Sequence, residues 1–196
     1  MPIVAHEGLF GSTPVVELNR RSGLDHPAVV SNDRAGVRAL TQHVVEAGYT
    51  HVVAVVGGEQ FSTSRERVLG FRDALPEARV LVTDFSPSGG ERALWELAGN
   101  PPQAIIPLSS RLTLGVLRAA RALGFSIPHD MAVAGYGNPE WFEVWGPGIT
   151  TFAPPLPAMG ATAARMLLDL IQGESLDQPV VSLDGEVLLR GTVPGR

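Results

Sequence analysis

HVVAVVGGEQFSTSRERVLGFRDA, residues His51 to Ala74, is the stretch that decides the fold. Val52-Val53-Ala54-Val55-Val56 is a short unbroken β-branched run, the pattern of a strand buried on both faces, and Gly57-Gly58 closes it with a tight turn. From Ser62 to Ala74 the spacing predicts a helix, with Ser62 or Thr63 as its N-cap and Glu66 in its first turn. A buried strand followed by an amphipathic helix is one unit of a parallel sheet.

The same unit recurs on either side. Downstream come Val80-Leu81-Val82 with a helix from about Ser88 to Ala98, then Ala104-Ile105-Ile106 with a helix from Ser110 to Leu123 ended by Gly124. Ala132-Val133-Ala134 then runs into the sharply bending Gly135-Tyr136-Gly137-Asn138-Pro139. Upstream, Pro14 to Leu18 is a strand candidate, and Asp33 to Ala47 a helix capped by Asn32 or Asp33. Near the end, Pro154 to Gln172 holds a long apolar-faced helix, followed by strands at Val180-Ser182 and Glu186-Leu189.

The chain has 196 residues, 44% hydrophobic and 18% charged, with 20 acidic against 15 basic side chains, a balance that excludes disorder and fibrous repeats. Zero cysteines remove disulfides, thiolate nucleophiles and cysteine-bound zinc. The five histidines are scattered without metal-ligand spacing, and no G-x-S-x-G elbow or complete dinucleotide fingerprint occurs. No catalytic residue, metal or cofactor is therefore predicted. Met1 to Phe10 lacks the charge and apolar core of a signal peptide and no apolar run spans a bilayer, so a cytoplasmic protein without membrane contact is expected.

Three local features admit two readings each. Ser62-Thr63-Ser64-Arg65-Glu66-Arg67 places hydroxyls and arginines at a helix start past a strand's carboxyl end, either a ligand site or a solvated first turn. Phe85 either stacks on a ligand or covers the sheet end. Trp141, Phe142, Val144 and Trp145 form a local mini-core or a partner surface.

Taken in order, these pieces resemble the effector-binding domain of the lactose-repressor and galactose-repressor family. The resemblance rests on Pro14-Val15-Val16, Asn32-Asp33-Arg34-Ala35-Gly36, "STSRERVLGF" at Ser62 to Phe71, Asp84-Phe85-Ser86-Pro87, "LGVLRAARALGFSIPHD" at Leu114 to Asp130, Ala134-Gly135-Tyr136, Ile149-Thr150-Thr151 and Met159-Gly160. It implies an α/β fold like a type I periplasmic binding protein, with one doubly wound, mostly parallel lobe and the remnant of a second. Residues 1–31 would belong to the N-terminal lobe, 32–151 to the C-terminal lobe, 152–183 to a returning N-terminal-lobe segment and 184–196 to a C-terminal-lobe tail. The implied function is reversible sensing of a small effector, a sugar, sugar derivative or nucleobase, by a homodimeric transcriptional regulator. A stand-alone binding module is the alternative.

Carried over residue by residue, the resemblance puts Phe61, Thr63, Arg67, Phe85, Ser109, Gly137 and Asn138 around the ligand, with Arg67 as principal anchor. It puts Trp141, Phe142, Val144 and Trp145 in the dimer interface. Replacing Arg67 is expected to weaken binding without much loss of stability. Ser109-Ser110, Gly137 and Pro154 stand where the family carries polar ligand contacts, which implies an anionic or less hydroxyl-rich ligand. DNA contact would require a domain absent from this chain. With 20 acidic against 15 basic side chains and no arginine cluster, the polypeptide alone should form no sequence-specific complex in a gel-shift titration at nanomolar protein and physiological salt.

Overall fold

The computed structural model describes residues 10–196, so the expectation for Met1 to Phe10 lies almost wholly outside the described residues. Along the chain run β1 (Glu17–Leu18), β2 (Ala28–Ser31), α1 (Asp33–Glu46), β3 (Val52–Val56), α2 (Ser62–Ala74), β4 (Val80–Val82), α3 (Pro87–Leu97) and β5 (Ala104–Pro107). There follow α4 (Ser110–Leu123), β6 (Ala132–Tyr136), α5 (Trp141–Val144), β7 (Thr150–Ala153), α6 (Leu156–Ile171), β8 (Val180–Leu183) and β9 (Glu186–Leu188).

All of β3 is buried because both of its faces are covered. Val52, Ala54 and Val56 share a cluster with Val37 and Leu40 of α1 and Phe71 of α2, whereas Val53 and Val55 meet Leu94 of α3 and Leu112 and Val116 of α4. The resulting sheet has the order β4-β3-β5-β6-β7-β9, parallel except for β9, with two helices on each face. The fold is the doubly wound α/β class. A smaller parallel sheet, β1-β2-β8, packs on α6 through Val29, Met159 and Met166.

Several boundaries differ from the sequence pattern for local reasons. The strand candidate at Pro14 to Leu18 shortens at its N-terminal end to Glu17–Leu18, and after it Asn19 takes a left-handed φ of 68°. Asn32 caps α1, its Oδ1 accepting from the Ala35 amide. At α2 the N-cap is Phe61, in extended conformation, and neither Ser62 nor Thr63 caps the helix. Strand β7 was not signalled by periodicity; its threonines are buried because Thr150 and Thr151 donate to the Arg190 and Gly137 carbonyls at 2.8 and 2.6 Å. β7 also carries the large sheet two residues beyond the expected boundary at 151.

The assignment of Phe142 to a dimer interface is corrected here. Its side chain is 0% exposed and packs with Leu112, Val116 and Ile149 beneath the large sheet. A Cβ on Gly135 would lie 2.6 Å from the Phe142 ring, so the glycine in β6 makes the seat for it. Trp141 and Trp145 pack half-buried against the same cluster, while Val144 is 81% exposed.

Phe142→Ala should therefore lower the unfolding free energy by about 3–5 kcal/mol in urea titration. Val144→Ala should change it by less than about 0.5 kcal/mol. Equal effects would contradict the mini-core assignment.

Candidate functional site

In an open doubly wound sheet, ligands sit beyond the carboxyl ends of the strands, where the order of connection reverses. Here the chain passes from β3 outward to the edge strand β4 and then crosses back to β5, so the reversal falls between β3 and β5. The sequence-predicted residues all follow these strands: Phe61, Thr63 and Arg67 after β3, Phe85 after β4, Ser109 after β5, and Gly137 and Asn138 after β6.

Arg67 bridges the switch point. It is 5% exposed, and its Nε donates to Asp33 Oδ2 at 2.7 Å while Nη1 donates to the Leu108 carbonyl at 2.9 Å. Asp33, 3% exposed, opens α1 and accepts from the Tyr136 hydroxyl at 2.7 Å through its other oxygen. The guanidinium carbon also lies 3.6 Å from the Tyr136 ring centroid, a cation–π contact. Burial pushes the Tyr136 phenol well above its ordinary value; the Arg67 charge opposes the rise and the Asp33 charge and hydrogen bond add to it.

Phe61 and Phe85 meet edge to face, with centroids 5.4 Å apart. Phe85 can lie over the end of β3 because residue 57 is glycine, where a Cβ would come within 2.5 Å of the ring. The side chains of Ser109 and Asn138 are committed elsewhere, Ser109 Oγ accepting from the Leu112 amide and Asn138 Oδ1 from Arg190 Nη2. Gly137, at φ 90°, and Asn138 line a cleft of about 670 Å³ with Ser110, Pro154, Asp184 and Glu186. The hydroxyls of Thr63 and Ser64 in the first turn of α2, and of Ser31 at the end of β2, are buried with no hydrogen-bond partner among the described residues.

Sequence reasoning missed Asp33 as an ion-pair partner, Tyr136 as a hydrogen-bonding wall, and Arg20, whose guanidinium stacks on Phe61 and Phe85 at 4.3 and 5.0 Å from their centroids. Asp33 was visible as a possible helix cap and within the Asn32-Asp33-Arg34-Ala35-Gly36 stretch, but not as a partner of Arg67. Arg20 was visible only as one of the arginine pair that follows Pro14-Val15-Val16.

A match to the periplasmic binding protein-like domain family covers residues 41–193. The chain belongs to that family. Within it, a LacI-family protein from Corynebacterium glutamicum is 37% identical and superposes with a TM-score of 0.84, covering 92% of this chain and 72% of its own. A LacI family transcriptional regulator from Enterococcus faecium, solved with bound ribose, is 27% identical with a TM-score of 0.84, covering 93% and 72%. The transcriptional regulator reg1 of Streptomyces lividans is 28% identical over 183 residues, 87% of this chain and 53% of that protein. The chain thus spans about half the length of the curated relatives it matches, and these relatives are regulators, not enzymes.

Removing either partner of the buried pair leaves an uncompensated charge, so Arg67→Ala and Asp33→Ala should each destabilise this periplasmic binding protein-like domain by about 3–5 kcal/mol in urea titration. The expectation that Arg67 could be replaced with little loss of stability is corrected accordingly. A phenol whose pKa is raised on folding stabilises the fold below about pH 10, its unfolded value, and loses that contribution as pH rises further. In a spectrophotometric titration, the Tyr136 transition should lie above pH 10 and disappear in Tyr136→Phe.

Proposed function

We propose that this chain is the effector-sensing part of a LacI-type transcriptional regulator and binds a small polyol-like molecule reversibly beyond the carboxyl ends of β3, β5 and β6. One observation carries the reading: a buried arginine spans the topological switch point beside hydroxyls that have no protein partner. With Nε and Nη1 engaged, Nη2 is the nitrogen Arg67 presents to a ligand. Phe61 and Phe85 form the apolar wall, Thr63 supplies a hydroxyl, and Gly137 and Asn138 form the rim toward the cleft. The ribose-bound Enterococcus faecium relative supports a sugar-like ligand class.

The small sheet with α6 is the part of the second lobe this chain carries, and the large sheet with β9 is the ligand-reading lobe. Trp141, Val144 and Trp145 form the surface for a homodimer, Val144 being the most exposed of the three. DNA is reached through a separate domain of the regulator in the cytoplasm. No helix among the described residues is long and apolar enough to cross a membrane.

A thermal-shift screen of sugars, sugar acids, sugar phosphates and nucleobases should yield a binder that, at a hundred times its dissociation constant, adds about 2.7 kcal/mol. A screen in which none of these classes shifts the melting temperature would remove the sensing function. For the dimer, Val144→Glu should give a folded monomer in sedimentation velocity where the parent chain is a dimer.

A further inference from the structure

Arg20 has a position and a charge that the network around Arg67 does not explain. It follows the left-handed Asn19 at the end of β1, and the neighbouring Arg21 amide donates to Ser62 Oγ at 2.9 Å, which fixes this loop against the first turn of α2. Its guanidinium lies against Phe61 and Phe85 and pairs with no carboxylate among the described residues. Burial lowers the Arg20 pKa, and the positive charge of Arg67 lowers it further, so the two cations are near enough to repel. The Arg67 charge is matched by Asp33. That of Arg20 is matched by no carboxylate among the described residues.

The α2 start adds to this excess of positive potential. The helix runs for 13 residues from Ser62, and its N-cap Phe61 puts no side-chain oxygen on its first amides, so the partial positive charge of its N-terminus is uncapped. In that first turn Thr63 is 4% exposed and its hydroxyl has no hydrogen-bond partner among the described residues. Of the acidic groups on the neighbouring loops, Asp84 is held by the Ser86 amide and Arg92, and Asp184 by Asn32, and Glu59, two residues before Phe61, forms no ion pair with Arg20. At the end of β6, Gly137 brings no carboxylate. A guanidinium stacked on aromatic rings keeps its N–H donors for an oxyanion in its own plane.

We propose that the effector is an anion, a polyol carrying a phosphate or carboxylate, and that Arg20, with the α2 N-terminus and the Thr63 hydroxyl, selects its charged group. The proposal presupposes the effector pocket described above. It makes Arg20 a specificity-determining residue and leaves Arg67 as the organiser of the pocket floor.

Isothermal titration of the full chain with pentoses and hexoses, each as free sugar, sugar acid and sugar phosphate, tests it. The phosphate or the acid of at least one sugar should bind at least tenfold more tightly than the free sugar, and the comparison of the two identifies the charged group. Arg20→Gln should abolish the preference, lowering the affinity for the anionic form at least tenfold more than that for the free sugar. Arg21→Gln, which removes the same charge one residue away, should preserve the preference, and thermal melts of both variants confirm the fold. Free sugars binding as tightly as their anionic forms, or a preference that survives Arg20→Gln, would overturn the proposal while leaving the sensing function intact. Silence from every compound would remove both.

Discussion

A carboxylate and a guanidinium each lose several kcal/mol of hydration when they leave water, so Asp33 and Arg67 can be buried only together. That condition sets the geometry of the ligand end of the sheet. Asp33 is tied to the start of α1 and Arg67 to the second turn of α2, so the pair holds the two helices of one face in register. Its remaining bonds reach the Leu108 carbonyl after β5 and the Tyr136 hydroxyl at the end of β6. Helix α1 and the ends of three strand-to-helix connections are thereby joined through two ionised groups.

The fold was legible because burial on both faces leaves a continuous apolar signature. The strand at Val52–Val56 and the helices at Ser62–Ala74 and Ser110–Leu123 stand where their periodicity puts them. Gly124, at φ 78°, ends α4 as a helix-terminating glycine should. Strand β7 was illegible from pattern alone because its two threonines read as polar, and only their hydrogen bonds to Arg190 and Gly137 permit their burial. Polar groups that become core through a specific partner are invisible to periodicity.

The site shows the same division. Arg67, Thr63, Phe61 and Phe85 were singled out because a helix start after a strand is a readable place, and Phe61 and Phe85 come into contact across two connections. Asp33 and Tyr136 were hidden by distance along the chain, 34 and 69 residues from Arg67 by numbering. Phe142 misled for a different reason. Clustered aromatics in a loop look like a surface until the glycine beneath them is recognised, and Gly135 is the feature that turns the ring inward.

Strands β8 and β9 are separated only by Asp184 and Gly185, yet they belong to different sheets, β8 completing the three-stranded one beside β2 and β9 the six-stranded one beside β7. The residues after them close the other end, Val193 entering the core and the Arg196 amide reaching the Ala47 carbonyl at 2.8 Å. Neither of these two edges can therefore form until residues 180–188 have been made, and the βα units before them wait with an open border. Loss of the residues after Gln172 would strip a strand from both described sheets at once.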